Sequence, residues 1–147
     1  MLHSNLGSSS SQQSLRLLYS LLDSLEYQSA IFIDNLAFEC MELIPDHNRL
    51  VSAVLKWSSS LYRQGLHRAY LVTRLLRRWN QAGLDICESI ISYLPEMASD
   101  CSKEPEPIFR IIAELVRSKT FLIGRYLQWL IASGSLNPAL DVQTVRP

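Results

Sequence analysis

The 147-residue sequence has the length of one ordinary domain and can bury about 70% of the surface its unfolded chain exposes, so a core forms without metal or disulfide staples. Hydrophobic residues make up 48% and charged residues 19%, with only 5 Gly and 6 Pro, which excludes a disordered or collagen-like chain. Fourteen Lys and Arg balance fourteen Asp and Glu, so the chain is not a uniform polycation built for nucleic acid.

Residues 1–13 are rich in Ser and Gln and lack a basic region ahead of an apolar run, so they read as a disordered leader rather than a signal peptide. From Ser14 the pattern turns helical, with Leu15, Leu18, Leu22 and Leu25 on one stripe. A second stripe follows at Ile33, Leu36, Ala37, Cys40, Leu43 and Ile44, and Pro45 ends it. The stretch Glu26–Ser29 between the two is either a break or a polar turn of one long helix. Asp34, Glu39 and Glu42 lie off the stripe, facing water or the basic segment that follows.

Asp46 is the expected N-cap of a helix running to about Arg63. Its buried face holds Leu50, Val54, Trp57 and Leu61, with Val51 and Leu55 beside them. Gly65 supplies a left-handed cap, and a second arm runs from Leu66 to Gln81. The inner face of that arm is Ala69, Val72, Thr73, Leu76 and Trp79, widened by Tyr70 and Leu75, and Gly83 closes it. Asp85 caps a short helix through Ile86, Ile90, Ile91 and Leu94, which Pro95 ends. Residues 96–107 form a polar, proline-bearing linker. A helix from Ile108 to Arg117 then packs Ile111, Ile112, Leu115 and Val116. Thr120 is the expected N-cap of a last helix from Phe121 to Ala132, which buries Leu122 or Ile123, Tyr126, Leu127 and Leu130. Gly134 stops it, and residues 137–147 are a disordered tail. The fold read from these elements is all-α, five to seven helices in antiparallel hairpins, with no sheet and one domain over residues 14–136.

The neutral total hides a segregated charge. Residues 1–46 carry one base and six acids, residues 47–82 seven bases and no acid, and residues 83–147 six bases and eight acids. In the basic segment Arg74, Arg77 and Arg78 cluster on one side of the second arm. They suit either the acidic N-terminal segment, an acidic protein partner, or a phosphate backbone. His67 is expected to be a packed or capping group, with a pH switch as the alternative. Trp57, Trp79 and Trp129 are expected to be core anchors at helix crossings. Trp129 alternatively anchors an interface, because its helix is apolar on most sides. Three widely spaced cysteines do not form a disulfide framework, so Cys40 and Cys87 read as buried thiols. The three histidines have no metal-ligand spacing with them, no cofactor is implied, and no apolar run reaches the ~18 residues of a membrane span. Glu39 and Glu42 are three apart without a following His, and no phosphate loop or catalytic motif is present, so the chain reads as non-enzymatic.

Two runs carry a resemblance. VLKWSSSLYRQGLHRAYLVTRLLRRW, residues 54–79, resembles the signature of the Mediator complex's subunit 12 family in its fungal form, through Trp57, Arg63, Gly65, His67, Arg68, Leu75 and Leu76. FRIIAELVRSKTFLIGRYLQWLIASGSL, residues 109–136, is similar to that family's next block, through Glu114, Arg117, Gly124, Tyr126, Trp129, Leu130 and Gly134. The resemblance implies a nuclear, non-enzymatic scaffold of the Mediator kinase module, which regulates RNA polymerase II transcription. Its partners there are a cyclin, a cyclin-dependent kinase and subunit 13, with core Mediator reached indirectly. Family members are many times longer, so the chain looks like a middle fragment or a truncated gene, and no counterpart of the family's kinase-activating segment is found. The candidate docking residues are Arg63, His67, Arg68, Arg74, Arg77, Arg78, Arg125 and Trp129. A competing reading is a small phosphate- or nucleic-acid-binding helical domain that uses the basic 47–82 hairpin. A third is a regulatory protein whose basic hairpin takes an acidic helix in trans, on the face assigned to residues 14–44.

Overall fold

The computed structural model describes residues 2–25, 32–60, 66–99 and 105–134, apart from the side chains of residues 2–9 and 66. The expected Gly65 turn, the Glu26–Ser29 stretch, Leu61, Cys101 and the 137–147 tail lie outside the described residues. Within them the chain forms seven helices and no sheet: α1 (Leu2–Ser24), α2 (Ile33–Leu43), α3 (His47–Ser59), α4 (Leu66–Gln81), α5 (Ile86–Ala98), α6 (Pro105–Arg117) and α7 (Ile123–Ala132). The all-α reading holds.

Helices α3 and α4 are the centre. They pack on each other, α3 also on α5 and α6, and α4 on α2 and α6. The stripes read from the sequence supply one continuous core: Leu18 and Leu22 from α1, Leu36, Ala37 and Cys40 from α2, and Ile108, Ile111 and Leu115 from α6 all enter it. Trp57 and Trp79 are its largest fully buried side chains. Each indole finds a partner for its N–H as well as its ring: Trp57 Nε1 donates to Asp23 Oδ1 at 2.8 Å and Trp79 Nε1 to the Ala37 carbonyl at 3.1 Å. The two tryptophans therefore fasten α3 to α1 and α4 to α2. Cys40 and Cys87 are buried thiols as expected, and burial pushes the Cys40 thiol up to about 12, with Glu39 adding to the shift.

Helix ends follow local chemistry. Asp46 accepts from Arg49 N and Asp85 from Glu88 N, so both predicted acidic N-caps are in place. At the end of α4, Gly83 N donates to the Asn80 carbonyl and Leu84 N to the Trp79 carbonyl, with Gly83 at φ +105°. This is a Schellman closure, and Leu84 is buried against the core as that motif requires. A Cβ on Gly83 would meet nothing within 4 Å. Gly83→Val is therefore expected to cost about 1–2 kcal/mol through backbone strain alone. Urea denaturation checks this, and a variant of unchanged stability would contradict the left-handed geometry.

Five boundaries differ from the sequence expectation. Helix α1 starts at Leu2 rather than Ser14, and Arg49 Nη2 holds the Ser11 carbonyl at 2.8 Å, which ties the expected leader to α3. Helix α3 stops at Ser59, short of Arg63; the Ser58 and Ser59 hydroxyls both turn back onto the Leu55 carbonyl at 2.9 Å. Pro95 does not end α5, which continues to Ala98. Its last turn is held by Met97 against the core and by an ion pair of 2.6 Å between Glu96 and Lys56, contacts that offset the missing proline N–H. The linker contracts from the other side too, since α6 begins at Pro105, where a proline in the first turn costs nothing.

The fifth is Thr120, which is not the cap of α7. Lys119 takes φ +60° and closes α6 by the same Schellman pattern, with Lys119 N on the Val116 carbonyl and Thr120 N on the Leu115 carbonyl. Thr120 is thereby spent on the end of α6, its hydroxyl 3.1 Å from that of Ser118, and α7 starts after Leu122 with no side-chain cap. The expected buried face of α7 is only partly present: Leu122, Ile123 and Leu127 are exposed, Leu130 is half-buried, and Ile131 beside them is 66% exposed. Only Tyr126 and Trp129 reach the core, stacked at 6.3 Å between centroids.

Candidate functional site

Helix α4 presents an outward ridge. Tyr70, Arg74, Arg77 and Gln81 recur at helical spacing on the side away from the core. Tyr70, expected on the inner face, is 67% exposed, while Leu71 is buried in its stead. The expected inner residues Ala69, Val72, Thr73, Leu75, Leu76 and Trp79 are all buried, and the difference lies only at the flanks, where Arg68 and Leu71 join them and Tyr70 does not. Arg74 lies 5.9 Å from the centroid of the Tyr70 ring, within cation–π range.

A cleft of about 670 Å³ runs between this ridge and α6. Its α4 wall is Tyr70, Arg74 and Arg77; its α6 wall is Arg110, Glu114 and Arg117; Ala69, Thr73 and Ala113 line it as small residues. Arg110 is paired with Glu106 and Arg117 with Glu114, each at 2.9 Å along α6. Among the described residues Arg74 and Arg77 have no carboxylate partner. A second, shallower cleft of about 400 Å³ lies on the other flank of the ridge, with Asp34, Arg74, Arg77 and Arg78 around it. There Arg78 Nε binds Asp34 at 2.6 Å, the one contact of the expected acidic-to-basic docking seen at α4 among the described residues.

The remaining candidates separate. Arg63 lies outside the described residues. His67 is exposed rather than packed. Arg68 is 6% exposed and stacks over the Trp57 ring at 5.0 Å, so it is a core residue and not a docking one. Trp129 is half-buried against the core rather than a full anchor. Arg125 is committed within the chain: its guanidinium forks onto both oxygens of Asp85, at 2.9 and 3.0 Å, and reaches Glu88 at 3.4 Å. The sequence points to Arg74, Arg77 and Arg78 but misses Arg110 and Arg117, which join them only once α6 folds against α4.

The Arg125 fork ties α7 to the N-cap of α5. It holds the Asp85 carboxyl below its ordinary 3.8, helped by the Glu88 N–H, while partial burial opposes the shift, and Arg125 is raised in turn. With side chains 39% and 57% exposed, the pair contributes at most about 1 kcal/mol. Because the folded carboxyl is the stronger acid, that contribution is full above pH 3.8 and is lost as pH falls through the folded value. The amide resonances of α7 are expected to shift in that acid window. Arg125→Ala should remove the transition, and an unaltered transition in that variant would refute the assignment.

Among the described residues no group of three or more His, Cys, Asp or Glu is arranged to hold a metal ion, and no helix is long and apolar enough to cross a membrane. No family model matches the chain. No solved structure matches it. Curated proteins do. The chain is 51% identical over 130 residues to Mediator of RNA polymerase II transcription subunit 12 of Phaeosphaeria nodorum, covering 88% of this chain and 8% of that protein. It is 39% identical over 133 residues to the protein of the same name from Emericella nidulans, covering 90% and 8%. For that of Aspergillus oryzae the figures are 42% over 117 residues, 80% and 7%. The chain thus spans less than a tenth of the length of these relatives.

Proposed function

The chain is homologous to one segment of the fungal Mediator subunit 12 proteins, and from that homology we propose that it is a non-enzymatic helical scaffold segment of the Mediator kinase module. In that reading it resides in the nucleus and takes part in regulating RNA polymerase II transcription. Its partners are the cyclin, the cyclin-dependent kinase and subunit 13, and core Mediator is reached through them. The supporting observation is identity that runs through nearly the whole helical body, 130 residues of it, rather than through a short motif.

The physical reading agrees in kind. A body of packed helices whose polar surface residues bind one another, with clefts walled by arginine, is suited to holding other proteins. Arg74, Arg77 and Arg78 are the candidate docking residues that line the two clefts. The competing nucleic-acid reading loses ground at the same place, because the larger cleft offers a single aromatic wall, Tyr70, for bases to stack on, and the smaller one offers none.

The test is a pull-down of this chain from a nuclear extract of its own source, read by mass spectrometry. Recovery of a cyclin, its kinase and large Mediator subunits is the expected result. A chain shown to be folded that recovers none of them would overturn the proposal.

A further inference from the structure

We infer that the α4–α6 cleft is a docking groove for an acidic peptide, one that seats a bulky apolar side chain between its carboxylates. The groove is a docking element of the scaffold proposed above, and its assignment rests on that reading. Charge complementarity identifies the occupant. Four arginines wall the cleft against one acid, Glu114. Arg110 and Arg117 are already paired along α6, whereas Arg74 and Arg77 face the cleft with no carboxylate partner among the described residues. Two guanidiniums left in this state, three residues apart on one helix, repel each other until an anion comes between them.

The shape selects the rest of the ligand. Ala69, Thr73 and Ala113 are small and leave room between the two arginine walls, and about 670 Å³ is far more than an ion or a single carboxylate fills. The exposed Tyr70 ring stands at the rim with Arg74 beside it, an aromatic surface for an aliphatic or aromatic side chain to lie on. An arginine cluster around an apolar floor is the arrangement by which acidic motifs are read. A nucleic acid strand is the weaker fit, since Tyr70 is the cleft's only aromatic wall and successive bases would have no second ring to stack on.

The test measures anisotropy of a labelled helical peptide that carries leucine at each turn and glutamate between, against its glutamine counterpart and a labelled oligothymidine. The full chain is expected to bind the glutamate peptide in a salt-dependent way and the glutamine peptide far more weakly. The double reversal R74E/R77E should weaken the glutamate peptide about tenfold or more, through like-charge repulsion. Tyr70→Ala should weaken both peptides, and neither variant should change the far-ultraviolet circular dichroism, because Tyr70 and Arg77 are exposed, Arg74 is half-exposed, and none of the three belongs to the core. Equal affinity for the two peptides, unchanged affinity in R74E/R77E, or tighter binding of oligothymidine would each overturn the groove assignment. Passing R74E/R77E through the nuclear pull-down separates the two readings. A groove that fails alone leaves recovery of Mediator subunits intact, whereas a failed scaffold reading recovers none with either chain.

Discussion

Replacing Trp79 by Ala is expected to cost about 3–5 kcal/mol, as large a loss as a single core substitution produces. Trp79 is completely buried where α4 crosses α2, and Leu75, Leu76 and Cys40 belong to the same buried cluster. Truncation removes the indole, leaves a cavity between two helices already packed on either side, and takes away the bond to the Ala37 carbonyl. A domain of this size has about 5–15 kcal/mol to lose, so the variant should sit near or below its unfolding midpoint. Trp79→Phe divides the effect. It keeps most of the volume and loses the hydrogen bond, for an expected cost of about 1–2 kcal/mol. Urea denaturation followed by circular dichroism measures both. Equal losses in the two variants would show that the hydrogen bond, not the packing, holds the crossing.

Deleting residues 1–31 is expected to be the second large loss, about 3–6 kcal/mol from the two fully buried leucines of α1 alone. Leu18 and Leu22 have no exposed surface, Tyr19 and Leu21 pack beside them, and Asp23 satisfies the indole N–H of Trp57. The truncated chain should lose its cooperative thermal transition. The outcome decides between readings of the molecule, because a shortened chain that melted cooperatively would have a receptive face where α1 now lies. That would revive a regulatory protein that takes a helix in trans. With α1 in place, the face is occupied by the chain itself.

The apolar stripes of α1 to α6 were legible because each helix is amphipathic and buries one arc, and a period of 3.6 survives in sequence whatever the partner is. Asp46, Asp85, Gly83 and Gly134 were legible because capping depends on neighbours within one turn. What needed distant residues was not legible. The helix runs past Pro95 with its last turn held through Glu96 by Lys56, forty positions from that glutamate, and Thr120 gives up its cap to a left-handed Lys119 that no local preference foretells. The inner face of α4 was legible at Ala69, Val72, Thr73, Leu75, Leu76 and Trp79, and only its edge was not, Leu71 being buried and Tyr70 exposed, since pattern alone does not say how wide an arc the neighbouring helices will cover. The site shared this limit. Arg74 and Arg77 stand out as an acid-free run, but the opposite wall comes from α6 and its two arginines are each matched by a local glutamate. For α7 the sequence announced an apolar helix and could not announce that its apolar face would stay bare.

Cys40 gives the molecule a clock. Its thiol ionises only near 12, so at pH 8 roughly one in ten thousand is thiolate even before access is considered. Alkylation therefore reports on brief openings that lift α2 away from α4, returning the thiol to water and to its ordinary acidity. In a chain with Cys87 and Cys101 replaced by alanine, the labelling rate divided by that of a fully unfolded thiol is the equilibrium constant for that opening. Any ligand that clamps the far side of α4 must slow it if the two helices open together. It must leave the rate untouched if α2 breathes alone. One sulfur atom, silent in every contact with the outside, thus measures how far a grip on the arginine ridge is felt on the opposite flank of the same helix.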